Sequence, residues 1–218
     1  VIALIRYNFA TTLHTQRYLP PVFLFLGLLA VLTVNGGGSL PAAYASAAGA
    51  LFVSSAWLAT AVLGVDDPAQ RAIVVVSAGR SLKVLLASVL SVLLGCLVLL
   101  VTGLVFPLWM GSYRLTPAGL LLGVEAQLTG ACTGIAIGLP CSRLLFRRQG
   151  HALLTAVALL MGTLFTQGLP PLNRLLRLMA TTDDPARLLA PGGAMLLVAV
   201  ALLATATAAT QFLSGGKP

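Results

Sequence analysis

Charge is what this chain most conspicuously goes without. Asp, Glu, Lys and Arg make up 8% of its 218 residues, against roughly 25% in soluble domains. Hydrophobic residues make up 58%, and mean hydropathy is +1.00. That composition describes an integral membrane protein. Lysine is nearly missing: only Lys83 and Lys217 occur. Neither follows the glycine pattern of a phosphate loop, so the chain cannot be its own Walker-type ATPase. Asn35-Gly-Gly-Gly-Ser39 lacks the closing Gly-Lys-Ser/Thr and reads as a turn. The three cysteines, Cys96, Cys132 and Cys141, fall in or beside apolar runs without metal-ligand spacing; they read as small buried hydrophobes. The two histidines, His14 and His151, have no convergent ligands in sequence. No metal site is expected. There is no His-Glu-x-x-His, no paired acidic motif within a span and no Gly-x-Ser-x-Gly elbow matched to a membrane histidine, which argues against an intramembrane hydrolase. Asp66 and Asp67 alone are too few to hold a metal and a diphosphate, as a lipid head-group transferase must. No catalytic residue is expected. A net charge of +8 would suggest nucleic acid in a soluble protein; here the basic residues flank membrane helices.

A bilayer-spanning helix needs about 20 apolar residues. Six stretches qualify approximately: 19–35, 41–64, 84–106, 115–140, 152–169 and 189–213. The expected fold is therefore all-α, with six transmembrane helices in one domain. Small residues line single faces of the second and third stretches: Ala43, Ala47, Ala50 and Ser54, then Ala87, Ser91 and Gly95. Such faces let membrane helices approach closely. Arg6, Arg17, Arg71, Arg80, Lys83, Arg143, Arg147, Arg148 and Lys217 collect on one side. The positive-inside bias makes that side cytoplasmic, with both termini inside. The first apolar run is too long for a signal core and has no small-residue cleavage site, so no cleavable signal is expected.

Three segments outside the spans have order of their own. Residues 1–17 carry Ile2, Ile5, Phe9 and Leu13 at helical spacing, which predicts an interfacial helix broken from the first span by Pro20 and Pro21. After Pro170-Pro171, Leu172, Leu175, Leu176 and Met179 alternate with Asn173, Arg174 and Arg177. That pattern predicts an amphipathic helix on the outer side, between spans five and six. Between spans two and three, Asp66 or Asp67 can cap a short helix, Pro68 suits its first turn, and Gly79 can stop it. Its apolar face would carry Ile73, Val74 and Val76, with Gln70 and Arg71 near the start.

Inside the apolar runs stands one acid, Glu125. An intramembrane carboxylate is costly and marks a functional site by default. With Gln127 and Thr129 nearby, it either lines a substrate path or, protonated or hydrogen-bonded, fixes helix packing.

The order of these elements resembles the membrane subunit of ABC type-2 exporter permeases. The resemblance centres on the loop after span two: Asp66, Asp67, Gln70, Arg71, Ala72-Ile73-Val74, Ala78-Gly79-Arg80 and Lys83 follow the family's order of acidic, basic, apolar, turn and basic residues. Ala72 stands where the family has glycine. The resemblance implies that this loop is a coupling helix, with Asp66, Asp67, Gln70, Arg71, Ile73, Val74, Val76 and Arg80 facing a separate ATPase. It further implies two ATPase subunits carrying ATP and Mg, and a second permease subunit, identical or homologous. The transported substrate would be amphipathic (a lipid, a peptide or a small natural product or drug), exported across a bacterial cytoplasmic membrane. Two other classes stay open: an ATP-independent secondary transporter using Glu125, and a non-transport membrane scaffold or regulator.

Overall fold

The computed structural model describes residues 2–34, 39–64, 74, 76, 81–110, 113, 115–142, 149–166, 168–182 and 184–215. Among the described residues these helices follow in order: α1 (Ile2–Thr15), α2 (Leu19–Val34), α3 (Leu40–Leu63), α4 (Ser81–Met110), α5 (Pro117–Gly138), α6 (Gln149–Phe165), α7 (Leu172–Thr181) and α8 (Pro185–Gly215).

Glycine sets the centre. Gly130, Gly134 and Gly138 of α5 recur every four residues and lie against the backbone of α3. A Cβ on Gly130 would stand 2.6 Å from the carbonyl oxygen of Ala48, and one on Gly138 would stand 2.6 Å from that of Ala56. At Gly134 it would collide with the Phe52 carbonyl and the Ser55 hydroxyl. Four residues advance a helix by about 6 Å, so each glycine meets the next turn of α3. Toward the other end, Gly119 abuts Leu40 and Gly123 abuts Tyr44. The residue numbers rise together along both helices, so α3 and α5 run parallel. Removing side chains from the contact brings two backbones within van der Waals range, which is how membrane helices associate without a hydrophobic drive between them.

The other helices build on this pair. α8 packs against α5, with Ala199 and Leu203 sharing a buried cluster with Ala131, Cys132 and Ile135. Phe25 and Leu29 of α2 and Leu85, Val89 and Val92 of α4 complete that cluster. One end of the bundle is tied by two long-range bonds: Arg17 Nη1 donates to the Gly64 carbonyl at 2.7 Å, and Gln211 Nε2 donates to Ser81 Oγ at 2.5 Å. At the other end α7 buries Leu175 and Met179 beside Tyr44 and Leu122, and Leu172 beside Phe52 and Leu160, while Arg174 and Arg177 stay exposed. The amphipathic helix read between the fifth and sixth apolar stretches is therefore present, with Leu175 and Met179 inside the core.

The chain is an all-α, multi-pass apolar bundle, but its helix lengths differ from the six spans expected. Among the described residues, α3, α4, α5 and α8 (over Pro185–Leu213) are long and apolar enough to cross a bilayer. A fifth is gained only by joining α1 to α2, a pair bent by 78°. α2 has 16 residues and α6 has 17, which at 1.5 Å per residue is about 25 Å, short of the roughly 30 Å hydrocarbon core. The bend falls at Gln16 (φ 52°), where the left-handed conformation ends α1. Pro20 and Pro21, expected to make the break, instead sit in the first turn of α2, where a missing N–H costs nothing. On α1 the polar Asn8 faces the bundle, its Nδ2 donating to Ser88 Oγ at 3.2 Å, whereas Phe9 and Leu13 are exposed. Two helices run past their expected ends. α4 continues through Pro107 to Met110, and α8 begins at Pro185, before Pro191. Asp184 Oδ1 accepts from the Ala186 N–H at 3.1 Å and caps that start.

Candidate functional site

The polar groups named from sequence lie on opposite sides of α5, Glu125 and Thr129 on one and Gln127 on the other. Glu125 faces α8 at Gly192 and Gly193. A Cβ on Gly192 would come within 2.5 Å of Glu125 Oε2, so the carboxyl occupies space that only a glycine leaves open. Gln127 is completely buried and faces α4, where a Cβ on Gly103 would stand 2.6 Å from Gln127 Oε1. Residues two apart on a helix point in nearly opposite directions, so the structure does not bring Glu125 and Gln127 together. Thr129, one turn after Glu125, donates its hydroxyl to the Glu125 carbonyl at 2.7 Å, and Thr133 donates to the Thr129 carbonyl at 2.7 Å. Both hydroxyls are thus committed to their own helix.

Several buried polar atoms have no hydrogen-bond partner among the described residues: Glu125 Oε2, Gln127 Oε1 and Nε2, Tyr44 Oη and Ser54 Oγ. So many unmatched groups are unusual, because a buried donor or acceptor left unmade costs about 1–3 kcal/mol. Tyr44 escaped the sequence reading. A lone tyrosine among alanines was the available signal. Near Gln127, Pro107 adds to the local polarity. Proline has no N–H to offer the residue four before it, here Gly103, the glycine against which Gln127 lies.

Two clefts flank α6. One, of about 620 Å³, lies between α2, α3 and α6 and has Arg17, Trp57, Gly64, Cys141 and Ser142 on its walls. The other, of about 510 Å³, lies among α5, the α6–α7 turn and α8. Thr133, Thr163 and Thr205 line it, each donating its proton to its own helix. What remains for a ligand is oxygen lone pairs on an apolar wall. Asn173 joins α6 to α7, its Nδ2 donating to the Leu164 carbonyl at 2.5 Å and its Oδ1 accepting from the Gly168 N–H at 3.2 Å.

Cys96, Cys132 and Cys141 are buried free thiols. Burial pushes the Cys141 thiol above its ordinary range. Among the described residues no three His, Cys, Asp or Glu side chains converge as a metal site would require. Of the residues read as facing an ATPase, Asp66, Asp67, Gln70, Arg71, Ile73 and Arg80 lie outside the described residues. Val74 and Val76 are helical, and Val76 is 82% exposed.

In comparisons with known proteins, no family model, no curated protein and no solved structure matches this chain. Its function is therefore argued from the arrangement of its own residues.

Proposed function

We propose that the chain is the membrane subunit of an ATP-driven exporter, powered by a separate ATPase and working beside a second permease subunit. In this reading α2 and α6 also cross the cytoplasmic membrane of a bacterium, giving six spans with both termini inside. The chain itself has no catalytic role; ATP and Mg belong to the partner. The observation that carries the reading is Val76. It is a helical, apolar residue left 82% exposed in the connection from Gly64 to Ser81, at the end of the bundle that Arg17 and Gln211 tie together. With Ile73 and Val74 it supplies the anchors of a helix laid into a groove on a partner, and Arg71 and Arg80 form the rim.

Ile73→Asp tests this by placing a charge at the contact centre, where an unpaired charge is expensive. The variant should insert at wild-type level yet fail to hold its ATPase subunit, or lose stimulation of ATP hydrolysis. Ser81→Asp should do little, because aspartate still offers Gln211 an acceptor. Co-purification and ATPase assays read both. Wild-type behaviour of Ile73→Asp would remove the docking role.

A second reading, ATP-independent transport through Glu125, draws support from the unpartnered Glu125 Oε2 beside Gly192. It predicts that Glu125→Gln leaves the folded yield intact and abolishes flux in proteoliposomes lacking any ATPase. Loss of folded protein with Gln, as severe as with Leu, would assign Glu125 to packing.

A further inference from the structure

The cleft between α2, α3 and α6 has one charged residue on its wall, Arg17, and no acid among the described residues lining it. Its guanidinium is held at the mouth by the 2.7 Å bond from Nη1 to the Gly64 carbonyl. Among the described residues that is its one hydrogen bond, and it uses one of the five guanidinium N–H donors. Below Arg17 the walls are apolar: Leu24, Val53, Ala156, Val157 and Leu160. The two hydroxyl protons there are spent, since Thr60 donates to the Trp57 carbonyl at 2.8 Å and Ser142 to the Leu139 carbonyl at 2.7 Å. The volume, about 620 Å³, falls in the range of ligand sites. Its walls come partly from α2 and α6, the two helices too short to fill the bilayer. A cation fixed at the end of a long apolar trough matches one chemistry: an anion joined to a hydrocarbon chain.

We propose that this cleft binds an anionic phospholipid, with its phosphate on Arg17 and one acyl chain laid between α2, α3 and α6. Arginine suits the task because its planar fork pairs with phosphate oxygens two at a time. Charge complementarity selects the head group and the apolar trough selects the tail; a free phosphate would use only the first. The site does not depend on whether the chain works with an ATPase.

Trp57 lines the cleft, and the second of the chain's two tryptophans, Trp109, lies on exposed α4 surface. Trp109→Phe therefore leaves one reporter inside the site. The full chain is reconstituted in phosphatidylcholine vesicles carrying increasing fractions of phosphatidylglycerol with brominated acyl chains. A parallel series carries brominated phosphatidylcholine. Bromine quenches tryptophan only on contact, so the two curves give the relative affinity. One interfacial arginine favours an anionic lipid by about fivefold, and we expect that preference at Trp57. Arg17→Gln should reduce it to about one. Arg17→Lys should keep most of it and guards against a folding defect in the glutamine variant. Arg6→Gln, on α1 and outside the cleft, should leave it unchanged. Ala156→Phe, which fills the trough, should weaken quenching by both lipids. Equal quenching by the two lipids in the parent, or a preference that survives Arg17→Gln, overturns the proposal. So does quenching indifferent to Ala156→Phe, which would put the chain elsewhere. Shielding of Trp57 from both lipids would mean that a second copy of the chain occupies the cleft, and would overturn it as well.

Discussion

The α3–α5 seam and the surroundings of α6 are opposite solutions to packing in a membrane. Along the seam, glycine meets backbone at every turn, and a single methyl group at Gly130, Gly134 or Gly138 has nowhere to go. Around α6, Gly150 and Gly162 have open space where a Cβ would stand, Leu153, Leu154 and Phe165 are exposed, and a cleft lies on either side. Interiors packed to crystal density do not deform continuously. The seam is therefore the fixed frame, and the space left open in the bundle lies on the α6 side. The buried unpartnered groups Tyr44, Ser54 and Gln127 sit on the frame or at its edge, so any path through them must open beside the seam and not across it.

Substitutions can break this contrast directly. The largest effect is expected from Gly134→Ala. The obstacle is the Phe52 carbonyl and the Ser55 hydroxyl on a helix that cannot retreat, and overpacking of this kind costs about 3 kcal/mol. A thiol-reactive dye followed during heating in detergent reads the loss. All three thiols are buried, and the raised Cys141 thiol is slow to react while folded. Next comes Asn173→Ala, which removes both hydrogen bonds joining α6 to α7 and should cost about 1–2 kcal/mol. The smallest effect has the opposite sign: Gly162→Ala should stabilise by about 0.5–1 kcal/mol, because alanine is the better helix former and meets nothing. If Gly134→Ala and Gly162→Ala shift the melting temperature alike, the contrast between frame and margin is wrong.

The membrane class, the cores of α3, α4 and α5, and the amphipathic α7 were legible because long apolar runs and a 3.6-residue period leave plain marks. The seam was not. Attention to small residues fell on Ala43, Ala47, Ala50 and Ser54, all of which are buried. Yet the α3 face that meets α5 runs through Ala48, Phe52 and Ala56. In so alanine-rich a helix, every face looks small. The decisive signal was the glycine triplet at 130, 134 and 138, which spacing alone could have revealed. The end of the first helix was placed by its prolines, whereas the chain turns earlier, at Gln16, and uses the prolines to start α2. Glu125 and Gln127 read as one group because they are close in sequence, but a helix sends them to different neighbours. The connection holding Asp66, Asp67, Ile73 and Arg80 is legible in sequence and lies outside the described residues, so its role rests on the Ile73→Asp experiment.

Because α3 and α5 run parallel, they cannot be made as a hairpin. A whole crossing, α4, must be synthesised between them, and the residues they bring together are roughly eighty positions apart, as with Ala48 and Gly130. At 5–20 residues per second, α3 leaves the ribosome about 4–16 s ahead of its partner. Through that interval the alanines of its inner face, with Tyr44 among them, wait without the partner they pack against. The frame of the molecule thus forms only in mid-synthesis, with α6, α7 and α8 still to come, and a nascent chain halted within α4 would hold that face open.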